Sequence, residues 1–482
     1  MAEEREVEKF DSLDLACSAA KEWLANLASR PVMASASIDT LRERLGGPLE
    51  PTGRQSKEVI ERLLESTKDG LHGSAGGRFF AWVIGGALPS ALAADWLTSA
   101  WDQNAALYGC GPAASVIEEI AGGWIKDLLD LPEEASFAFT TGCQLAHFTC
   151  LASARGSVLE RVGWDINEDG LFGAPKVRIL CSEYRHGSID RAVRFLGIGN
   201  RSLESIGTDR AGRIEPGALS AALQKSREPT IVILSAADLN IAAFDPFDEL
   251  IPLAKRAGAW VHIDGAFGLF SRASKKFRHL TTGIDLADSW ATDAHKWLNV
   301  PFDCGMAIVR NCTAHRNAMT IRASYIAADS NARDQIDWNP EWSRRARGIT
   351  VYAALRELGR DGVAELVERT SGHCRTLVTE IGKLPGAEML WEPELNQGLV
   401  RFLDQRPSAT NLDHDKRTDA IVAAVNAGGE AFFSTTTWRG KRAMRVSVVN
   451  WRTSDRDVER AIAAVRRALA GTVNVSGSDT GG

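Results

Sequence analysis

Several features that would point toward other kinds of protein are missing from this 482-residue chain. It has no run of five or six like charges, and its 56 Lys and Arg nearly balance 62 Asp and Glu, leaving a net charge of −6. Neither a nucleic-acid partner nor an anionic membrane surface is therefore expected, while a local anion pocket stays open. The eight cysteines (Cys17, Cys110, Cys143, Cys150, Cys181, Cys304, Cys312 and Cys374) include no CxxC pair and no cluster with histidine at zinc-site spacing. They read as reduced thiols of a cytoplasmic protein, and no metal is expected. The N-terminus, MAEEREVEKFD, is acidic where a secretory signal would be basic and then apolar. The longest uncharged run, residues 79–94 (FFAWVIGGALPSALAA), is short for a membrane span and broken by Gly85-Gly86 and Pro89-Ser90, so a buried helix or turn is expected there. No internal repeat is found. What the chain does contain, 44% apolar residues with 14 Trp and 17 Phe, suffices for a large core, and its length suggests about three units.

Those units differ in pattern. Residues 1–95 read as an N-terminal helical arm, with Val59, Ile60, Leu63 and Leu64 on one face of a helix that closes at Lys68-Asp69-Gly70. Residues 96–346 alternate short apolar runs with helical stretches. The strand candidates are FAFT, VRILCS, TIVILSA, AWVHID, DSWATD and GMAIVR, and the PFDELIPLAKRAG helix ends on Lys255 and Arg256 before Gly258. Such alternation implies right-handed crossovers, hence an α/β domain with a mainly parallel sheet and helices on both faces. Residues 347–470 read as a small α+β domain: a long helix, the strands GLVRFL and RAMRVSVVN, and a last helix. Residues 471–482 read as a disordered tail.

Open α/β sheets bind ligands beyond the carboxyl ends of their strands. Four places there carry chemistry. In TTGCQLAHF a Gly-containing turn opens a helix, so the N–H groups of Gly142, Cys143 and Gln144 could cradle a phosphate, although such a turn is more often only a cap. His186 follows VRILCS, and alone it would pass for a structural histidine. Asp264 ends AWVHID and precedes small residues; it could equally cap a helix. Lys296 lies between His295 and Trp297 in an apolar stretch, where desolvation and a lowered pKa would suit a Schiff-base amine.

Together the four supply what pyridoxal 5'-phosphate needs. Lys296 would form the Schiff base, Asp264 would keep the pyridine nitrogen protonated, and His186 would stack on the ring. Gly142, Cys143, Gln144 and His295 would hold the phosphate. The separation of 32 residues from Asp264 to Lys296 leaves room for one helix and one more strand.

On these motifs, and on GGRFFAWVIGGALPSALAADWL, GPAASVIEEIAGGWI, SEYRHGSIDRA, FDPFDEL, WVHIDGAFG, DAHKWLNVPFDCG, LVRFL and MRVSVVN, the chain resembles the group II pyridoxal-phosphate-dependent amino-acid decarboxylases from about Gly77 to about Ala468. The resemblance implies a fold-type-I homodimer with a seven-stranded sheet and active sites at the subunit interface, acting on an L-amino acid with loss of CO2. It also implies Ala266 against the ring and Arg445 as a ligand for the substrate carboxylate, with a surface ion pair as the plainer reading of Arg445. Pocket residues from the partner chain are expected near Tyr108.

The chain also departs from the family pattern. Cys143, Gln144 and Leu145 stand where relatives carry small residues and a Glu, which leaves phosphate binding to backbone N–H groups. In ILSAADLNIAAFDP, Asn240 is the polar group expected to reach the cofactor's ring side. Many relatives carry a mobile-loop Tyr that protonates the carbanion centre, whereas here the corresponding stretch has Tyr325 only at its start. Without that acid, water, His186 or a partner-chain residue would have to supply the proton, or the centre would persist, react with oxygen and give an aldehyde. Since one fold hosts many reactions, decarboxylation-coupled oxidative deamination, C–C lysis and amino transfer are alternative outcomes on the same cofactor, and a non-catalytic dimeric binding or scaffold protein is the alternative of another class.

Overall fold

The computed structural model describes residues 10–320 and 332–473. Tyr325 and residues 474–482 of the expected tail lie outside them. A seven-stranded sheet forms from β2 (Ser136–Thr140), β3 (Arg178–Ser182), β4 (Leu203–Ile206), β5 (Thr230–Ser235), β6 (Trp260–Asp264), β7 (Ser289–Asp293) and β8 (Gly305–Val309), in the order β2-β8-β7-β6-β5-β3-β4. Neighbours from β7 through β6, β5 and β3 to β4 are parallel, and β8 alone runs antiparallel between β2 and β7.

The near-continuous apolar runs are explained by burial on both faces. Leu180, Val232, Leu234, Val261 and Ile263 join one core, while the alternate residues Ile179, Cys181, Ile231, Ile233 and Trp260 join the core on the other face, together with Ala146 and Cys150 of the Cys143–Glu160 helix. The same alternation places His262 and Asp264 on the Trp260 side, toward that helix. Because β2, β3, β5, β6 and β7 all point one way, their carboxyl ends share one edge of the sheet. The start of β8 closes that edge, with Gly305 opposite both Thr140 and Asp293.

A second sheet has the order β1-β11-β12-β10-β9, from β1 (Phe79–Phe80), β9 (Ala387–Trp391), β10 (Gln397–Phe402), β11 (Phe432–Trp438) and β12 (Lys441–Ser447). The long uncharged run therefore begins as a strand: β1 pairs parallel with β11, and Phe79 stacks on Phe432 at 4.8 Å. The run becomes helical only at Pro89, which starts the Pro89–Trp101 helix. The Gly348–Gly382 helix, kinked at Gly359, serves both cores. Val351, Ala354, Val363 and Val367 pack in the large one; Cys374, Leu377, Val378 and Ile381 pack in the small one. The expected helix between Asp264 and β7 does not form. Three 3-10 turns (Gly268–Ala273, Arg278–Thr281, Ile284–Leu286) fill the interval, because its Gly, Ser and Thr residues favour turns and no long apolar period is present.

Before β1, the Asp11–Asn26, Ile38–Leu45 and Ser56–Thr67 helices leave Leu13, Ile38, Leu45, Val59, Leu63 and Leu64 exposed. Among the described residues no helix is long and apolar enough to cross a membrane.

Candidate active site

The shared strand edge opens onto a cavity of about 620 Å³ lined by Gly142, Cys143, Gln144, His186, Asp264, Ala266, His295, Lys296 and Arg445. Nine of the eleven side chains or N–H groups singled out in the sequence thus face one space. Trp82, Val83, Tyr184, Arg191, Asp238, Phe267 and Asp293 are among the other residues of its walls and were not anticipated.

Lys296 follows β7 by three residues. Its Nζ lies 3.0 Å from Asp293 Oδ2 at the strand's end. Burial pulls the Lys296 ammonium down, but Asp293, Cys143 and Asp264 together outweigh burial, so the pKa is raised rather than lowered as expected. Asp293 was within the quoted DAHKW motif; its i,i+3 spacing to Lys296 was the signal for the pair. Asp293 is itself buried, and its Oδ1 accepts the Cys143 N–H at 2.6 Å and lies 3.6 Å from His295 Nε2.

The Cys143 N–H is therefore not free for a phosphate, contrary to expectation. Gly142 at the N-cap has no side chain to cap the Cys143–Glu160 helix, so Asp293 takes the Cys143 N–H, while Gly142, Gln144 and the His295 ring line the cavity beside it. Gly142 sits so close to that ring that an added Cβ would meet His295 Cε1 at 3.3 Å. His295 Nδ1 accepts the Cys304 N–H at 3.1 Å, and its ring lies 4.5 Å from that of Phe302. This donor set fits a phosphorylated cofactor.

Asp264 Oδ1 accepts the Ala266 N–H at 3.2 Å and lies 3.6 Å from His147 Nε2. His186 caps the Gly187–Phe195 helix through Nδ1, which accepts the Ser188 N–H at 3.2 Å, and also stands in the cavity wall, so the structural and functional readings both apply. Arg445 is buried. It donates to Gln397 Oε1 at 3.2 and 3.3 Å, and among the described residues it makes no ion pair, which removes the surface-pair reading. Burial pulls its pKa down to about 10 against the influence of Asp238.

Asn240 does not line the cavity. Asp238 Oδ1 accepts the N–H groups of Asn240 and Ile241 at 2.8 and 2.9 Å, and this turn sends the Asn240 side chain toward β11, where its Oδ1 accepts from Thr436 at 2.9 Å. Tyr108 lies outside the cavity of its own chain, in the Tyr108–Cys110 turn, with its N–H on Asp334 Oδ1.

A lysine, a carboxylate at the end of a central strand and a helix start around one cavity fit an enzyme that binds a phosphorylated cofactor. The chain belongs to the pyridoxal-dependent decarboxylase family, whose conserved domain it matches over residues 50–403. Its cofactor is pyridoxal phosphate and its class is carboxy-lyase. It is 26% identical to an aromatic-L-amino-acid decarboxylase of Bacillus atrophaeus over 94% of both chains, and 27% identical to a 4-hydroxyphenylacetaldehyde synthase of Rhodiola rosea over 86% of this chain and 85% of that one. In fold it is similar to Oryza sativa TDC solved with PLP and tryptamine (TM-score 0.89, 21% identity, covering 96% of this chain and 97% of that one).

Proposed function

We propose that the protein removes the α-carboxylate of an L-amino acid as CO2 and works as a homodimer. The observation that carries this reading is Arg445: a buried cation on a neutral partner, facing the same cavity as Lys296 and Asp264. Such a charge is held ready for an anionic ligand, here the substrate carboxylate. Bound on Lys296, pyridoxal phosphate would supply the electron sink for the breaking bond.

The rest falls to this chain's side chains. Asp264 would hold a proton at the ring nitrogen. Arg445 would bind and orient the substrate carboxylate in the cavity that His186 and Ala266 also line. Trp82, Val83 and Phe267 line the cavity with apolar groups. His186 would return the proton through Nε2, since its Nδ1 is taken by the Ser188 N–H. Trp82, Trp96, Trp101 and Phe302, all at least 40% exposed, are aromatic side chains that a second copy would cover. The eight free thiols support a cytoplasmic setting.

A panel of L-amino acids, with CO2, amine, aldehyde, 2-oxo acid and peroxide all measured, tests the reading. CO2 and amine in equal amounts are expected. Aldehyde with peroxide would mean oxidative deamination, 2-oxo acid would mean amino transfer, and no product from any amino acid would favour the scaffold.

A further inference from the structure

On the far side of Asp264 from the cavity lies a buried chain of polar groups that the proposed reaction does not use. His147 and His262 are wholly buried, and neither lines the cavity. The Trp260 Nε1–H donates to Ser289 Oγ at 2.9 Å, and the same oxygen lies 2.9 Å from His262 Nδ1. His262 Nε2 is 2.9 Å from His147 Nδ1, and His147 Nε2 lies 3.3 Å from Cys143 Sγ and 3.6 Å from Asp264 Oδ1. Local sequence builds this arrangement: residues 260, 262 and 264 alternate onto one face of β6, and Cys143 and His147 share one face of the helix packed on it.

Burial holds both imidazoles neutral, with His147 pulled down to about 3, so each ring carries one hydrogen. Two neutral rings in series allow two directions of donation. In one, the His147 Nε2 lone pair accepts from the Cys143 thiol at 3.3 Å but also faces the Asp264 carboxylate at 3.6 Å, which is repulsive in a site with little water. In the other, Ser289 donates to His262, His262 to His147, and the His147 Nε2–H faces Asp264.

We infer that His147 is a positioning residue for Asp264: it holds its Nε2–H toward Oδ1, with His262 and Ser289 fixing the tautomer, so that Oδ2 is turned toward the cofactor's ring nitrogen. The Ala266 N–H also falls on Oδ1, which leaves Oδ2 for the cofactor. The inference rests on the proposed pairing of Asp264 with that nitrogen.

The test compares the wild type with His147→Ala and with His147→Gln, which keeps an amide N–H of similar reach. Long-range 1H–15N spectra of the wild type should show His147 and His262 neutral and protonated on Nε2; an Nδ1–H on His147 overturns the inference. In titrations with pyridoxal phosphate, His147→Ala should raise Kd at least about ten-fold and move the visible band of the bound cofactor, and His147→Gln should restore most of both. Equal Kd and band position in wild type and His147→Ala overturn it. Should the Ala variant not fold, the spectra and the Gln variant decide. Wild-type protein that takes up no pyridoxal phosphate would overturn the reading of the whole site.

Discussion

One added methyl group at Gly85 tests how the segment before the Pro89–Trp101 helix seats Lys296. A Cβ at Gly85 would lie 2.3 Å from the Lys296 carbonyl oxygen and 3.2 Å from that of His295. A tolerable C···O contact is about 3.3 Å, so the two backbones must separate by about 1 Å. Neither side yields easily. Asn299 Oδ1 accepts the Gly86 N–H at 2.8 Å and the Trp451 N–H at 3.1 Å, and Asn299 Nδ2 donates to the Trp297 and Val449 carbonyls. The overpacking in Gly85→Ala should cost about 1–3 kcal/mol. A displacement of about 1 Å at Lys296 should lower turnover roughly 100-fold. The assay is a thermal midpoint, a pyridoxal phosphate titration followed in the visible, and the rate of CO2 release. Gly123→Ala is the control: it sits in the Pro112–Leu128 helix with open space around its Cβ position, and should stabilise by up to about 1 kcal/mol. If Gly85→Ala kept the wild-type midpoint, cofactor affinity and turnover, the close seating of Lys296 against this segment would be refuted as a requirement.

Asp293→Asn keeps an acceptor for the Cys143 N–H but removes the charge that raises the Lys296 pKa, so more of the amine is neutral at pH 7. The pH profile of cofactor uptake should then move to lower pH, and an unmoved profile would contradict the pairing. Arg445→Gln should raise KM for the amino acid at least about ten-fold while pyridoxal phosphate still binds, as steady-state kinetics and visible titration would show together. Glu118→Gln leaves Arg344 buried without its carboxylate, 2.7 Å away in the wild type, and should cost about 3–5 kcal/mol in urea unfolding. His315, fully buried between Ser136 Oγ and the Trp338 carbonyl, is pulled down to about 3. Its unfolded form takes up a proton near pH 6.5, so stability is complete above that pH and falls by about 1.4 kcal/mol per unit as pH drops toward 3. His315→Asn should flatten the fall in urea midpoint between pH 7 and 5; an equally steep fall would contradict this.

The legible parts of the fold were those that physics makes locally unmistakable. β3 and β5 to β8 are buried on both faces and so read as apolar runs, whereas edge strands β4 (LESI) and β9 (AEMLW) are half-exposed, and β11 (FFSTTTW) carries Ser and Thr along its length. Asp264 and Lys296 were legible because they follow such runs. The sign of the Lys296 shift was not, since it depends on a 3.0 Å distance to Asp293 that sets a nearby charge against burial. Asn240 misled for a local reason, the Asp238 turn that carries it away from the cavity. His147 lies inside a helix, far in sequence from β6, and only the packing of that helix on the sheet brings it to Asp264.

The central claim is that Lys296 carries the cofactor. Borohydride reduction of the pyridoxal phosphate-loaded protein, followed by peptide mass analysis, tests it most directly. The account predicts one phosphopyridoxyl group per chain, on Lys296 in DAHKWLNVPFDCG. A stable label on any other lysine, or none in a protein that still releases CO2, would contradict it.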